Sequence, residues 1–130
     1  MLKSRRHMQW IALAPLALSA CLAAAAAAGA GGAVYVTSRG AEAVVEGQPA
    51  SLDPRIRSAL DEYKVAISGS STDKGGDQLG WKGMTGDIEV NVTAQRQSET
   101  TTKIEVTARR SVAEWDKELA ERILQRIVGG

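Results

Sequence analysis

The sequence predicts an α+β domain with two layers, in which an antiparallel sheet of about four strands carries two helices on one face. Apolar and polar residues alternate strictly over 87–94 and 103–108, as antiparallel strands with one buried and one hydrated face require. Apolar residues recur at steps of three and four over 54–62 and again near the C-terminus, which is the spacing of amphipathic helices. Apolar faces of this kind bury one another in a two-layer domain.

A leader is predicted to precede this domain over residues 1–20. Residues 1–9 carry three basic and no acidic side chains, and residues 10–20 are apolar except for Ser19. A basic start, a short apolar stretch and small residues at its end are typical of a secretory signal peptide. The stretch before Cys21 is too short to cross a bilayer, which takes about 20 apolar residues.

The segment 21–36 is predicted to be a tether that begins at Cys21 and is rich in alanine and glycine. The apolar run does continue as far as Val36, and the whole run is long enough for an uncleaved transmembrane anchor. Alanine and glycine favour membrane insertion only weakly, and Pro15 and the glycines weaken a continuous helix. We therefore expect a flexible tether followed by a folded domain over 37–130, with a single membrane-spanning helix as the alternative.

Strands are predicted at four places, beginning with an edge strand over 41–46 that turn-forming residues terminate. The short β-prone stretch 34–36 is either the end of the tether or a further strand. A strand over 64–68 leads into a polar loop over 69–77. That loop lacks the alternating acidic ligands of a calcium site, so we predict no metal there.

The two alternating strands are predicted to form a hairpin around Gln97–Glu99. Pairing of Val90 with Val106, and of Val92 with Ile104, keeps every apolar side chain on one face. The opposite face presents polar side chains, namely Glu89, Asn91, Thr93, Lys103, Glu105 and Thr107.

Two helices are predicted to cover the apolar face. The first runs over 54–62, with Asp53 as its N-cap and a proline as its first residue. The second begins at Ser111, which forms a capping box with Glu114 three residues later. Trp115 belongs to the apolar stripe of this helix and is expected to anchor it on the sheet.

Composition narrows the functions open to the predicted domain. Beyond residue 20 the chain has thirteen basic and fifteen acidic residues, a net charge of −2, which argues against nucleic-acid binding. The only histidine is His7, in the leader, and the only cysteine is Cys21. Zinc sites, cysteine nucleophiles and histidine bases therefore have no candidates in the domain. We expect no cofactor and no catalysis, and an enzyme using carboxylates or a Ser/Lys pair is the alternative.

The segment Leu18-Ser19-Ala20-Cys21 resembles the lipobox of bacterial lipoproteins, with an aliphatic residue, two small residues and the cysteine. The resemblance implies that Cys21 is lipidated and that signal peptidase recognises Leu18, Ser19 and Ala20 and cleaves before Cys21. Leu22 stands where an aspartate would imply retention in enteric-type sorting. It therefore implies the outer membrane, with the inner membrane as the alternative.

Much of the remaining chain resembles a family of small bacterial envelope lipoproteins of unknown function with a βαβββα domain. The matching segments are Cys21–Val36, Gly86–Val90, Thr102–Val106 and Ile123–Ile127. This resemblance implies a non-catalytic binding or structural module that faces the periplasm. Its partners would be the membrane, reached through the N-terminal lipid, and an envelope protein.

Overall fold

The computed structural model describes residues 32–130, which form one antiparallel sheet of six strands with two α-helices. The strands are β1 (Tyr35–Val36), β2 (Gly40–Glu46), β3 (Ala66–Asp73), β4 (Gln78–Thr85), β5 (Ile88–Arg96) and β6 (Thr101–Arg109). The helices are α1 (Pro49–Glu62) and α2 (Lys117–Gly129), and a 3₁₀ turn, Lys74–Gly76, joins β3 to β4.

The strand order is β1-β2-β6-β5-β4-β3. The predicted α+β class and antiparallel sheet are confirmed, but the predicted count of about four strands is wrong because there are six. Two strands are additional: β4, and β1, for which the sequence left a strand and the end of the tether open. The prediction of an edge position for residues 41–46 is also wrong, since β2 lies between β1 and β6.

Glycines explain why the apolar pattern of the sequence does not predict β4. They interrupt its apolar alternation, and one of them, Gly83, is required because β3 passes very close to it. A Cβ atom at Gly83 would lie 2.5 Å from the carbonyl oxygen of Ala66 and 2.7 Å from Val65 Cγ1. Residues 69–73 of the predicted loop belong instead to β3. Their turn-forming side chains lie along an exposed edge of the sheet, and their backbone pairs with β4.

The hairpin of β5 and β6 has the predicted faces but a different register. Val92 lies opposite Val106, and Val90 lies opposite Ala108, so the predicted pairing is displaced by two residues along one strand. A displacement of two keeps every side chain on its own face, because side chains alternate with period two. The alternation therefore predicts the faces, whereas the turn geometry sets the register.

The core lies between the helices and one face of the sheet. Residues facing the helices are almost completely buried on β2, β5 and β6, whereas the intervening residues on β5 and β6 stay partly exposed. Both helices contribute to the same core cluster, α1 with residues such as Ile56 and Leu60, and α2 with residues such as Ile123 and Leu124. Within residues 32–130, no helix covers the other face, where the predicted polar side chains lie.

Helix α1 begins earlier than predicted, at Pro49, with Gln48 as its N-cap residue. Pro49 takes the first helical position, where a missing N–H is tolerated, and Pro54 lies inside the helix. Asp53 is therefore not an N-cap. Its carboxylate accepts a hydrogen bond of 3.0 Å from the indole nitrogen of the buried Trp81 and pairs with Arg57. This bond joins α1 to β4.

The N-cap of helix α2 is Asp116, five residues later than predicted, and the helix begins at Lys117. The predicted capping box at Ser111 is wrong, because residues 111–114 form a turn and the side chain of Val112 is 88 % exposed. Asp116 Oδ1 accepts a hydrogen bond of 3.0 Å from the backbone N–H of Leu119. A carboxylate at this position also interacts favourably with the helix dipole.

Charged side chains of α1 hold the C-terminal end of α2. The guanidinium of Arg55 donates hydrogen bonds of 2.7 and 2.8 Å to the carbonyl oxygens of Ile127 and Val128. Glu62 accepts a hydrogen bond of 2.6 Å from Arg126. Because the last carbonyls of a helix lack intrahelical partners, Arg55 satisfies two of them and joins the two helices.

Candidate functional site

The residues predicted to be functional, Leu18, Ser19, Ala20 and Cys21, lie outside the described residues 32–130. Of the two aspartates in the predicted polar loop, Asp73 ends β3 and Asp77 forms an ion pair of 3.3 Å with Arg96. Within residues 32–130, no group of three or more histidine, cysteine or acidic side chains is placed to hold a metal ion.

Trp115 lies at the surface between two arginines, so its predicted role as a core anchor is wrong. It lies outside the core cluster, is only partly buried, and forms an isolated β-bridge with Arg109 at the end of β6. The guanidinium carbons of Arg39 and Arg109 lie 5.5 and 5.7 Å from the centre of the Trp115 ring. Arginines at this range interact favourably with the face of an indole. We call Arg39, Arg109 and Trp115 the Trp115 cluster.

The loop between β6 and α2 places Trp115 outside the core. The backbone N–H of Arg110 donates to the carbonyl oxygen of Glu114, and the N–H of Asp116 donates to that of Ala108, at 2.9 and 2.7 Å. These bonds fold the loop back along the last residues of β6. The Arg110 side chain then pairs with Asp116 at 3.1 Å, so the residue that caps α2 also closes the loop.

Glu89 links the Trp115 cluster to the open face of the sheet. Its carboxylate lies 3.3 Å from the Arg109 guanidinium and 3.6 Å from the Lys82 ammonium. The amide of Asn91 donates to it at 3.2 Å. The hydrogen bond from Asn91, together with the charges of Lys82 and Arg109, holds the pKa of Glu89 below its ordinary value against the opposing effect of burial. This carboxylate therefore stays ionised and orients Arg109 beneath Trp115.

Two depressions flank the cluster. One, of ≈ 450 Å³, lies between the loop and the start of α2 and is lined by Trp115, Lys117 and Glu118 among others. The other, of ≈ 250 Å³, lies between the exposed side chains of Val112 and Met84. Both are surface depressions with mixed polar and apolar walls.

The side chains in this arrangement are of the kinds that bind other proteins. Tryptophan, arginine and methionine are enriched in protein interfaces, and tryptophan and arginine most often contribute large parts of the binding energy. Within the described part of the chain, Arg39 makes no ion pair, so its guanidinium edge is available to a carboxylate or carbonyl oxygen. The cluster combines a flat apolar ring, oriented cations and a neighbouring exposed valine, which suits contact with another protein.

The sequence offers two possible N-caps for α2, and they place Trp115 differently. Ser111 and Glu114 match a capping box, and Asp116 is an equally suitable N-cap residue. Starting the helix at Ser111 places Trp115 on the apolar stripe, whereas starting it after Asp116 leaves Trp115 in the loop. Only the return of the loop along β6 distinguishes the two starts.

The fold and this cluster define a small α+β domain with one open sheet face and an aromatic, arginine-rich loop at its end. No protein-family model matches the sequence, and searches of curated proteins and of solved structures found no match either. Neither helix described in residues 32–130 has both the length and the apolar character needed to cross a membrane.

Proposed function

We propose that this protein is a lipid-anchored envelope protein, a non-catalytic binding or structural module that faces the periplasm. The observation that carries the proposal is the segment Leu18-Ser19-Ala20-Cys21, which follows a basic start and a short apolar stretch. Two or more acyl chains hold a protein stably on a bilayer, whereas one chain binds only marginally. Attachment of diacylglycerol to the Cys21 thiol, together with acylation of the new amino group, would therefore suffice for anchoring.

The resemblance to small envelope lipoproteins of unknown function supports the same proposal. The described domain adds support for binding, since the Trp115 cluster has the composition of a protein interface. The ion pair with Glu89 keeps Arg109 oriented before any partner arrives, and pre-organised side chains lose less conformational entropy on binding. We propose an envelope protein as the partner of this cluster.

Replacement of Cys21 tests the anchor. In the native host, Cys21→Ser is expected to abolish incorporation of radiolabelled palmitate and to block cleavage of the leader, so that residue 1 is retained. Val112→Ser is the matched control, since it changes an exposed side chain of the folded domain and is expected to leave both unchanged. A wild-type protein that incorporates no palmitate and keeps its leader contradicts the proposal and favours a spanning helix.

The outer-membrane location has its own test, because sorting and acylation are separate steps. Leu22→Asp is expected to keep palmitate incorporation and to shift the protein to the inner-membrane fraction in an enteric host. Unchanged fractionation in density gradients contradicts the sorting rule without affecting the anchor. Mass spectrometry of the purified protein shows whether the leader has been removed, since an intact Met1 is incompatible with cleavage before Cys21.

Photo-crosslinking tests the binding role of the Trp115 cluster. A photoreactive amino acid at Val112 is expected to form a discrete adduct with an envelope protein in intact cells, and Trp115→Ala is expected to reduce that adduct. The same amino acid at Ser71, on the far edge strand β3, is the control. Equal adducts from both positions, or an adduct at Val112 that is insensitive to Trp115→Ala, contradict the binding role.

A further inference from the structure

Arg39 differs from every other arginine of residues 32–130, because its guanidinium has no oxygen partner there. This part of the chain contains eight arginines. Six of them pair with a carboxylate, namely Arg57, Arg96, Arg109, Arg110, Arg122 and Arg126. Another, Arg55, donates to two carbonyl oxygens of α2. The guanidinium of Arg39 instead lies against the ring of Trp115.

The N-terminal part of the chain cannot supply the missing partner. Residues 1–31 contain no aspartate and no glutamate, so they offer Arg39 no acidic side chain. An arginine side chain is not deprotonated in proteins. In this structure the positive charge of Arg39 is therefore left for a group outside residues 1–130.

Both ends of the Arg39 side chain are held in place. Thr37 Oγ1 accepts hydrogen bonds of 3.3 and 3.0 Å from the backbone N–H groups of Arg39 and Gly40. Gly40 packs so closely on β6 that a Cβ atom there would collide with the carbonyl oxygen of Val106. At its other end, the guanidinium carbon lies 5.5 Å from the centre of the Trp115 ring. A side chain held in this way loses less conformational entropy on binding.

The free groups of Arg39 suit a carboxylate. Contact with an aromatic ring engages the face of a guanidinium, and its N–H groups point outward in the plane. Two parallel N–H groups match the two oxygens of a carboxylate. Arg109, which also lies against Trp115, is already paired with Glu89. Arg39 is therefore the cation of the Trp115 cluster that remains to be matched.

We propose that the protein partner of the Trp115 cluster presents a carboxylate that pairs with Arg39. This inference names the chemistry of the partner and rests on the proposed binding role. A carboxylate is favoured over a carbonyl oxygen because it also neutralises the charge, and charges across an interface are arranged to be complementary. Glu114 and Lys117 flank Trp115 along the chain and make no ion pair among the described residues, but their opposite charges offset each other.

Photo-crosslinking of the full-length protein in its native host tests the role of Arg39. With the photoreactive amino acid at Val112, Arg39→Gln is expected to reduce the yield of the adduct about tenfold, because it removes a hydrogen-bonded charge pair. Arg39→Lys keeps the charge but not the paired donors, so an intermediate yield is expected. Arg122→Gln is the matched control, since Arg122 is also exposed and pairs with Glu118 on its own helix. A wild-type yield from Arg39→Gln overturns the inference.

Reversal of both charges separates recognition from a purely structural role of Arg39. Mass spectrometry of the adduct identifies the crosslinked segment of the partner. Arg39→Asp is expected to remove the adduct, and replacement of one acidic residue in that segment by arginine is expected to restore it. Damage to the Trp115 loop could not be repaired by a change in the partner. Where the segment includes the C-terminus of the partner, extension by two residues is expected to remove the wild-type adduct if the terminal carboxylate is the ligand. Failure of every reversal and of the extension overturns the inference.

The same adduct distinguishes failure of this inference from failure of the binding role. If the wild type forms no discrete adduct, or if Trp115→Ala does not reduce it, both are overturned. If Trp115→Ala reduces the adduct and Arg39→Gln does not, the cluster still binds a protein and the inference about its carboxylate alone is overturned.

Discussion

The hydrogen bond between Trp81 and Asp53 is predicted to be the main polar attachment of α1 to the sheet. Trp81 is 3 % exposed, and its indole N–H has Asp53 Oδ1 as its partner at 3.0 Å. In the Asp53→Ala variant this buried donor loses its partner, which costs about 1–3 kcal/mol. Loss of the exposed Arg57 pair adds only about 0.3–0.5 kcal/mol. We therefore expect a loss of about 2 kcal/mol in the free energy of unfolding.

A double-mutant cycle isolates the contribution of this bond. Trp81→Phe removes the donor, and Asp53 then keeps water and Arg57 as partners, so the double variant is expected to be more stable than the sum of the single effects implies. The coupling energy is expected to be about 1–2 kcal/mol. Urea unfolding followed by far-UV circular dichroism measures it, because this signal does not depend on tryptophan fluorescence. A loss of about 2 kcal/mol also lowers the Tm by about 8–16 °C in a domain of this size.

If the stability losses of the two single variants add up to that of the double variant within about 0.3–0.5 kcal/mol, the reasoning is refuted, because the two side chains then act independently. Asp53→Asn is the matched control, since its amide oxygen can still accept the indole hydrogen bond. This variant is expected to retain more stability than Asp53→Ala. If the two variants lose equal stability, the hydrogen bond is not what attaches α1 to β4.

Three further predictions concern the two helices and Glu89. Asp116→Ala is expected to lower the free energy of unfolding by about 1 kcal/mol because it removes the N-cap of α2. Ser111→Ala is expected to change it by less than about 0.5 kcal/mol, and a larger effect in urea unfolding contradicts the observed helix start. Pro54→Ala is expected to stabilise the protein by about 1–2 kcal/mol, since proline inside a helix costs about 3 kcal/mol and its rigidity in the unfolded chain offsets part of that cost. A lower Tm for Pro54→Ala would show that α1 needs its proline. Because the folded pKa of Glu89 is depressed, its stabilising effect is present above its unfolded pKa, near 4.5, and is lost as the pH falls through the folded pKa. Glu89→Gln is therefore expected to be less stable than the wild type at neutral pH, by up to about 1 kcal/mol, and to approach it in acid; a difference that does not change with pH contradicts the role of this carboxylate.

Residue patterns alone were enough to predict the class of the fold and the faces of its regular elements. Alternation over β5 and β6 predicted their buried and polar faces, and the helical spacing near the C-terminus predicted an amphipathic helix, in which Ile123 and Ile127 are buried. These predictions succeeded because periodicity records burial directly. The proposed lipidation of Cys21 likewise rests on sequence alone, since its chemistry depends on local recognition.

Contacts between distant segments set the number of strands, the hairpin register, the helix starts and the position of Trp115. Gly83 is needed only because β3 passes close to it, and the register shift of two residues leaves the same faces buried. Ser111 and Asp116 offer equivalent local caps, and the return of the loop along β6 selects Asp116. In each case the sequence allows several local solutions of similar free energy, and contacts between distant segments choose among them.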